Sequence, residues 1–316
     1  MNILIASVNT AIERLLRVEE QRPGEVHRLL EDFTLAGGKG VNVARVLRQL
    51  QPQLDNLPSP LLLGFLGGAT GRLCQELLAQ EKLEGHWSEI AASTRICEVI
   101  TEQKAPNKAS VFNAAGPQIQ PAEHHHLHRL LEEALPQASA LICTGSLAKN
   151  MPMDEYAHWI NAARRQNVLT LLDTHGPALD QAISACPDII KINRDELRQI
   201  SNGAELNLPA VWLSQGVRCA IITDGPNPVV AHTPEGVFTI TPPIVRTVSS
   251  VGSGDAYCAG LIASLLAHPD AGWAAHLTLA AACGAANATS PTAGLPADAD
   301  LVALRQLCTV SRSTDR

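Results

Sequence analysis

Ser249-Ser250-Val251-Gly252-Ser253-Gly254-Asp255-Ala256-Tyr257-Cys258-Ala259-Gly260 carries a glycine-rich turn straight into an apolar, alanine-rich segment that continues to Leu266. The segment reads as a helix with small residues on one face, able to lie close to a neighbour. Gly252 and Gly254 have no Cβ, so the backbone there can bend freely and approach a ligand. The N–H groups of a first helical turn have no intrahelical partner, and the helix dipole adds positive charge beside them. Such a turn suits a phosphate. Asp255 is the odd member, because a carboxylate repels a resting phosphate. It makes chemical sense as a base that takes the proton of a hydroxyl attacking phosphorus. It makes structural sense as the N-cap of a buried helix, and the residues alone leave both readings open.

Working outward, short apolar runs alternate with helical stretches. Strands are expected at Ile3 to Ala6, Leu61 to Leu66, Ala140 to Thr144, Val168 to Asp173, Ile189 to Ile192 and Cys219 to Thr223. Helices are expected at Val41 to Leu50, Arg72 to Gln80, from Pro121, at Asp154 to Arg165, Pro177 to Ala185, Asp195 to Ser201 and Gly272 to Asn287. This alternation predicts an α/β fold with a doubly wound, mostly parallel sheet. Residues 15–35 and 90–113 lack helical periodicity and read as exposed strands outside that sheet, the second stretch carrying Arg95, Lys104 and Lys108. The polar tail after Thr309 is expected to fray.

In such sheets ligands bind beyond the carboxyl ends of the strands. Polar residues gather at those ends: Gly145-Ser146, Asp173-Thr174-His175-Gly176, Lys191-Ile192-Asn193 and Thr223-Asp224-Gly225. A second glycine-rich helix entry, Gly37-Gly38-Lys39-Gly40, brings Lys39 and Asn42 as polar handles, unless it is a plain turn with a solvated lysine. On the helix that follows, Val43, Leu47 and Leu50 share the core face, with Arg45 and Arg48 elsewhere. Asn193 and Glu196 stand three apart at a strand-to-helix junction. They suit a Mg²⁺ held partly through water, or simply a helix start with Glu in its first turn. His124-His125-His126 and His128 put two imidazoles one turn apart. A solvated helix face is expected there rather than a metal site, because no carboxylate or Cys stands at matching spacing.

The 316 residues are 46% hydrophobic and 17% charged, the balance of a soluble enzyme with a sizeable core. A formal charge of −7 argues against nucleic-acid binding. No apolar run reaches the roughly 18 residues of a membrane span. Met1-Asn2-Ile3-Leu4-Ile5 reads as a first strand rather than a signal peptide. The eight cysteines are scattered without a CxxC pair, as expected of reduced thiols in a cytoplasmic protein. Signatures of dinucleotide oxidoreductases, P-loop enzymes, zincins and serine hydrolases with a nucleophile elbow are missing.

Taken together, the ordered motifs resemble the PfkB (ribokinase-like) carbohydrate kinases, and within them the hexose-phosphate branch of 1-phosphofructokinases and tagatose-6-phosphate kinases. Gly37-Gly38-Lys39-Gly40-Val41-Asn42-Val43-Ala44-Arg45-Val46-Leu47 is similar to the first family signature and Ser250-Val251-Gly252-Ser253-Gly254-Asp255 to the second. Between them Gly64-Phe65-Leu66-Gly67-Gly68, Thr94-Arg95-Ile96, Gly145-Ser146-Leu147 and Lys191-Ile192-Asn193 with Glu196 fall in the family's order. The resemblance implies a ribokinase-like core of residues 1–10, 34–90 and 116–316, and a small β lid of 11–33 and 91–115. It implies ATP and Mg²⁺ as cofactors, a sugar phosphate as substrate, and a homodimer formed through the lid. Asp255 would be the base, and the N–H groups of Gly252, Ser253 and Gly254 the anion hole. Asn193 and Glu196 would hold Mg²⁺, and Lys191, Asn193, Thr223 and Gly225 the nucleotide. Gly38, Lys39, Asn42, Ser146 and Glu13 would face the sugar, and Arg95, with Arg28 as a second candidate, the phosphate on the substrate.

The chain also departs from the branch. Asn9-Thr10-Ala11-Ile12-Glu13 stands where Asn-Pro-Ala-Leu/Ile-Asp is usual, so the sugar-facing carboxylate is one methylene longer. Ser110-Val111-Phe112-Asn113 replaces Thr-Glu-x-Asn, and Ala148-Lys149-Asn150 replaces Pro-x-Gly. The expected activity is ATP-dependent phosphorylation of fructose 1-phosphate or tagatose 6-phosphate at a primary hydroxyl. The alternatives are a kinase for an unphosphorylated sugar or nucleoside, and a non-catalytic sugar- or nucleotide-binding regulator.

Overall fold

Ile3-Leu4-Ile5-Ala6 has no polar face, and a strand of that kind must be covered on both sides. The computed structural model, which describes residues 1–105, 109–201 and 207–313, shows how. The first half of the chain gives β1 (Asn2–Ser7), β2 (Ala11–Val18), β3 (Glu31–Gly37), α1 (Lys39–Leu50), β4 (Ser59–Gly67), α2 (Gly68–Gln80), β5 (Glu84–Ile90), β6 (Arg95–Glu102), β7 (Ala109–Asn113) and α3 (Pro121–Ala134). The middle gives β8 (Ala138–Thr144), α4 (Glu155–Arg165), β9 (Leu169–Asp173), α5 (Pro177–Ile183), β10 (Ile189–Asn193), α6 (Arg194–Ser201), α7 (Leu208–Ser214) and β11 (Cys219–Asp224). Then follow β12 (Asn227–Thr233), β13 (Gly236–Thr241), α8 (Ser253–Ala267), α9 (Trp273–Ala288), α10 (Leu301–Leu307) and β14 (Thr309–Ser313).

The larger sheet has ten strands in the order β14-β13-β12-β11-β10-β9-β8-β1-β4-β5. From β11 to β5 every pairing is parallel, while β12, β13 and β14 add antiparallel neighbours at one side. Alternate residues of β1 feed different cores. Ile3 and Ile5 pack with α1, α8 and α9, and Leu4 and Ala6 with α3, α4 and α5. The chain leaves β1 for β4 on one side and later returns as β8 on the other. That reversal opens a crevice at the carboxyl end of β1, the usual place for a ligand in a doubly wound sheet.

A separate four-stranded sheet has the order β3-β2-β6-β7. The architecture is the expected one: a large, mostly parallel sheet flanked by helices, with a small second sheet. Several elements differ from expectation. β2 is mostly buried rather than exposed, with Leu15 and Val18 in the interior. β5 continues the large sheet where no strand was expected. α2 begins at Gly68, ahead of Arg72. Thr309–Ser313, expected to fray, pairs antiparallel with β13 along its whole length, and residues 314–316 lie outside the described residues. Lys108 lies outside the described residues. Arg45, off the face of α1 that carries Val43, Leu47 and Leu50, is nevertheless buried. No helix of the described residues is long and apolar enough to cross a membrane.

Candidate active site

α8 starts where β13 and a connecting loop deliver the chain back to the crevice. Gly252 is its N-cap, at φ 82°, the left-handed region that glycine enters without strain. A Cβ at that position would also lie 2.6 Å from the Cβ of Ala293. Asn287, fully buried on α9, holds the turn from behind. Its Nδ2 donates to Val251 O (2.8 Å) and Ser253 Oγ (3.1 Å), while its Oδ1 accepts from Gly294 N (2.8 Å). The N–H of Ser253 donates to Ser250 O at 3.2 Å. The N–H groups of Gly252 and Gly254 make no hydrogen bond among the described residues, so they are the donors the turn presents.

Asp255 is buried in the first turn of α8. Its Oδ2 accepts from Asn42 Nδ2 at 2.9 Å. The Asn42 amide is itself oriented, since Arg45 Nη1 donates to Asn42 Oδ1 at 3.0 Å. Arg45 is fixed by Ala36 O (2.6 Å) and by an ion pair with Glu81. Burial pushes the Asp255 carboxyl up to about 6, against the lowering pull of Lys39, Asn42 and Lys191. A carboxyl with that value is ionised at neutral pH and is a stronger proton acceptor than an ordinary aspartate.

Below it lies a charge cluster. Asp173, at the carboxyl end of β9 and fully buried, receives Lys191 Nζ at 3.3 Å and Lys39 Nζ at 3.5 Å on Oδ1. Thr144 Oγ1 donates to its Oδ2 at 3.3 Å. Burial would raise the Asp173 pKa, but the two ammonium groups outweigh it and hold the carboxyl below its usual value. Lys39 is raised in turn, chiefly by Asp173.

The small sheet faces these groups across a cleft of about 1730 Å³. That is larger than the roughly 300–1,000 Å³ of a pocket for one small ligand, and it leaves room for two side by side. Gly38, Lys39, Asn42, Ser146, Lys191, Asn193, Thr223, Gly225, Gly252, Ser253, Gly254 and Asp255 line it from the large sheet and its helices. Glu13 and Arg95 line it from the small sheet. Glu13 is buried, its Oε1 has no hydrogen-bond partner among the described residues, and burial raises its pKa while Arg45 lowers it. Asn9, just past β1, presents a second buried acceptor without a partner, Oδ1, while its Nδ2 donates to Ser146 Oγ at 2.9 Å. Arg95 opens β6. Its Nε and Nη2 donate to Asn9 O (3.1 and 2.7 Å) and its Nη1 to Ala114 O (3.1 Å).

Asn193 and Glu196 form a reciprocal capping pair at the start of α6. Asn193 N donates to Glu196 Oε2, and Glu196 N to Asn193 Oδ1, both at 2.8 Å. Asn193 lines the cleft, whereas Glu196 is not among its lining residues. Glu196 Oε1 takes no part in the cap. It is a hard oxygen donor of the kind Mg²⁺ accepts, directly or through water. Arg28 is exposed on the loop between β2 and β3 and is not among the residues lining the cleft.

Asp173 was noted only as one of the polar residues at a strand end and given no role, and Asn9, Arg45 and Asn287 were not among the expected site residues. The signal for Asp173 was its place at a strand end, and for Asn287 its lone amide in an alanine-rich helix. Glu155 was likewise missed as the carboxylate beside His124 and His128, because it comes from another helix.

Residues 2–300 match the family model described as "pfkB family carbohydrate kinase". The chain is 28% identical over 271 residues to the 1-phosphofructokinase of Bacillus subtilis strain 168, covering 83% of this chain and 85% of that one. It is 29% identical over 274 residues to a tagatose-6-phosphate kinase of Staphylococcus epidermidis, covering 84% and 85%. Its fold is similar to that of the phosphofructokinase-2 of Escherichia coli in complex with substrates and products, with a TM-score of 0.85 at 22% identity over 97% of this chain and 99% of that one.

Proposed function

The chain belongs to the pfkB family of carbohydrate kinases, and from that premise we propose that it transfers the γ-phosphoryl group of ATP to a primary hydroxyl of a phosphorylated ketohexose, fructose 1-phosphate or tagatose 6-phosphate. The observation that carries the proposal is the buried carboxylate of Asp255 beside the N–H groups of Gly252 and Gly254 at the head of α8. In this reading the hydroxyl oxygen attacks the γ-phosphorus as the bond to the β–γ bridging oxygen breaks. ADP departs and the hydroxyl proton passes to Asp255. The two glycine amides and the helix dipole bear on the charge of the transferred group. Lys39 and Lys191 keep the surroundings positive, and Asp173 holds both in place.

The small sheet acts as the lid over the sugar. Glu13 Oε1 and Asn9 Oδ1 are buried acceptors that lack donors among the described residues, and sugar hydroxyls would supply them. Thr223, Gly225, Lys191 and Asn193, at the ends of β10 and β11, take the nucleotide. Glu196 Oε1, with Asn193, would hold Mg²⁺, which when bound neutralises phosphate charge. Arg95 has two guanidinium N–H groups beyond its three carbonyl bonds, enough for a bidentate grip on the substrate's own phosphate.

That same arrangement favours a second reading. With three bonds already committed to backbone oxygens, Arg95 would also serve as a lid brace in a kinase of unphosphorylated sugars or nucleosides. A panel of sugars, nucleosides and sugar phosphates, read by coupled ADP release, separates the two. ADP release with fructose 1-phosphate or tagatose 6-phosphate, with KM raised at least about tenfold in Arg95→Ala, supports the first reading. Turnover confined to unphosphorylated acceptors and little changed in Arg95→Ala rejects it.

A further inference from the structure

Outside the cleft, α3 and α4 bring together three side chains with no part in the chemistry above. His124 and His128 lie one turn apart on α3, and Glu155 opens α4. Their donor atoms converge. His124 Nε2 is 2.8 Å from Glu155 Oε2, His128 Nε2 is 2.7 Å from Glu155 Oε1, and the two Nε2 atoms are 3.2 Å apart. None of the three lines the cleft.

With a proton on each Nε2, both imidazoles donate to the one carboxylate and the two nitrogens stay packed 3.2 Å apart. If one Nε2 instead accepts from the other, the accepting histidine has no proton for Glu155. A tetrahedral ion would engage all three groups at once. Metal–nitrogen bonds of roughly 2.0–2.1 Å set ligand atoms about 3.3 Å apart, close to the separation of the two nitrogens. Two imidazoles and one carboxylate are also a donor set that Zn²⁺ accepts. The carboxylate is braced as metal-binding carboxylates usually are, with Trp159 Nε1 donating to Glu155 Oε1 at 2.6 Å. Glu155 is buried, whereas the side chains of His124 and His128 are 23% and 30% exposed, so an ion has a route in from the histidine side.

We propose that His124, His128 and Glu155 form a binding site for a divalent transition-metal ion, Zn²⁺ first among them, that clamps α3 to α4 away from the cleft. The competing account is that the two histidines serve only as counter-ions to a buried glutamate. The test uses full-length, tag-free protein stripped with chelator and titrated with Zn²⁺ alone by calorimetry. Co²⁺ is then titrated and followed by its visible absorption.

The proposal expects one tight Zn²⁺ per chain and a Co²⁺ spectrum of four-coordinate type without a thiolate charge-transfer band. His124→Gln and His128→Gln should each weaken Zn²⁺ binding at least about tenfold, and the double variant should lose the tight site. Zn²⁺ should raise the melting temperature of the parent chain and leave that of the double variant unchanged. Absence of tight binding in the parent chain overturns the proposal, as does equal binding by parent and double variant. The single variants, at partly exposed positions, keep the test valid if the double variant folds poorly.

Discussion

Asp255 is one carboxylate under several opposed forces, and burial dominates, pushing its pKa up to about 6 from the 3.8 of an ordinary aspartate. Between those values the folded chain keeps a proton that the unfolded chain has released. Stability from this group therefore falls as pH rises through that window, and the penalty is complete above about 6. Asp255→Asn never ionises, so its stability relative to the parent should rise between pH 4 and pH 7 by up to about 3 kcal/mol. Denaturant melts at both pH values check this, and a difference that does not change with pH would contradict it. Asp255 and Asn42 were legible as residues because each sits in a short motif with a physical rationale. The partners that orient them were not. Arg45 is held by Glu81 and Ala36, and Asn287 reaches back to Val251, through contacts far apart in sequence. Glu155 escaped for the same reason, since helical spacing shows which residues share a turn but not what a second helix brings alongside.

Among the elements, α8 shows what a run of small residues does. It is buried on every side from Asp255 to Ser264, not along one stripe. Gly260 sits where α9 crosses, and a Cβ there would lie 2.7 Å from Cys283 Sγ and 3.1 Å from Ala280 Cα. Gly260→Ala should cost about 1–3 kcal/mol through overpacking, more than offsetting the roughly 1 kcal/mol that alanine gains over glycine in a helix. Equilibrium denaturation measures it, and equal or greater stability would show that the two helices are not held at the observed spacing. The parallel strands and their helices could be read because each strand is an apolar run bounded by turn residues. β14 could not, because its residues are all exposed and only pairing with β13 makes them a strand. β5 was hidden likewise by its half-polar pattern, Glu84-Gly85-His86-Trp87-Ser88-Glu89-Ile90.

At the scale of the whole molecule, the cleft lies between two sheets, and the small one is unevenly covered. Its cleft-facing side buries Leu15 and Val99 yet leaves Phe33 and Val111 41% and 48% exposed, while Ile96 and Phe112 are exposed on the other side. We predict that this sheet pairs with that of a second copy. Sedimentation should give a dimer for the parent chain and a monomer for Phe33→Asp/Val111→Asp, and a monomeric parent would reject the pairing. The fold class was legible in the sequence because the alternation of strands and helices spans most of the chain. The antiparallel flank and the division of labour around Asp173 emerge only once the strands are ordered. The most direct test of the account is turnover by Asp255→Asn, with ATP and the best acceptor from the substrate panel. We predict that kcat falls by roughly 10²–10⁴ or more, the usual worth of a positioned base, while calorimetry still detects ATP binding. A variant that keeps near-parental kcat would contradict the assignment of Asp255 as the group that takes the hydroxyl proton.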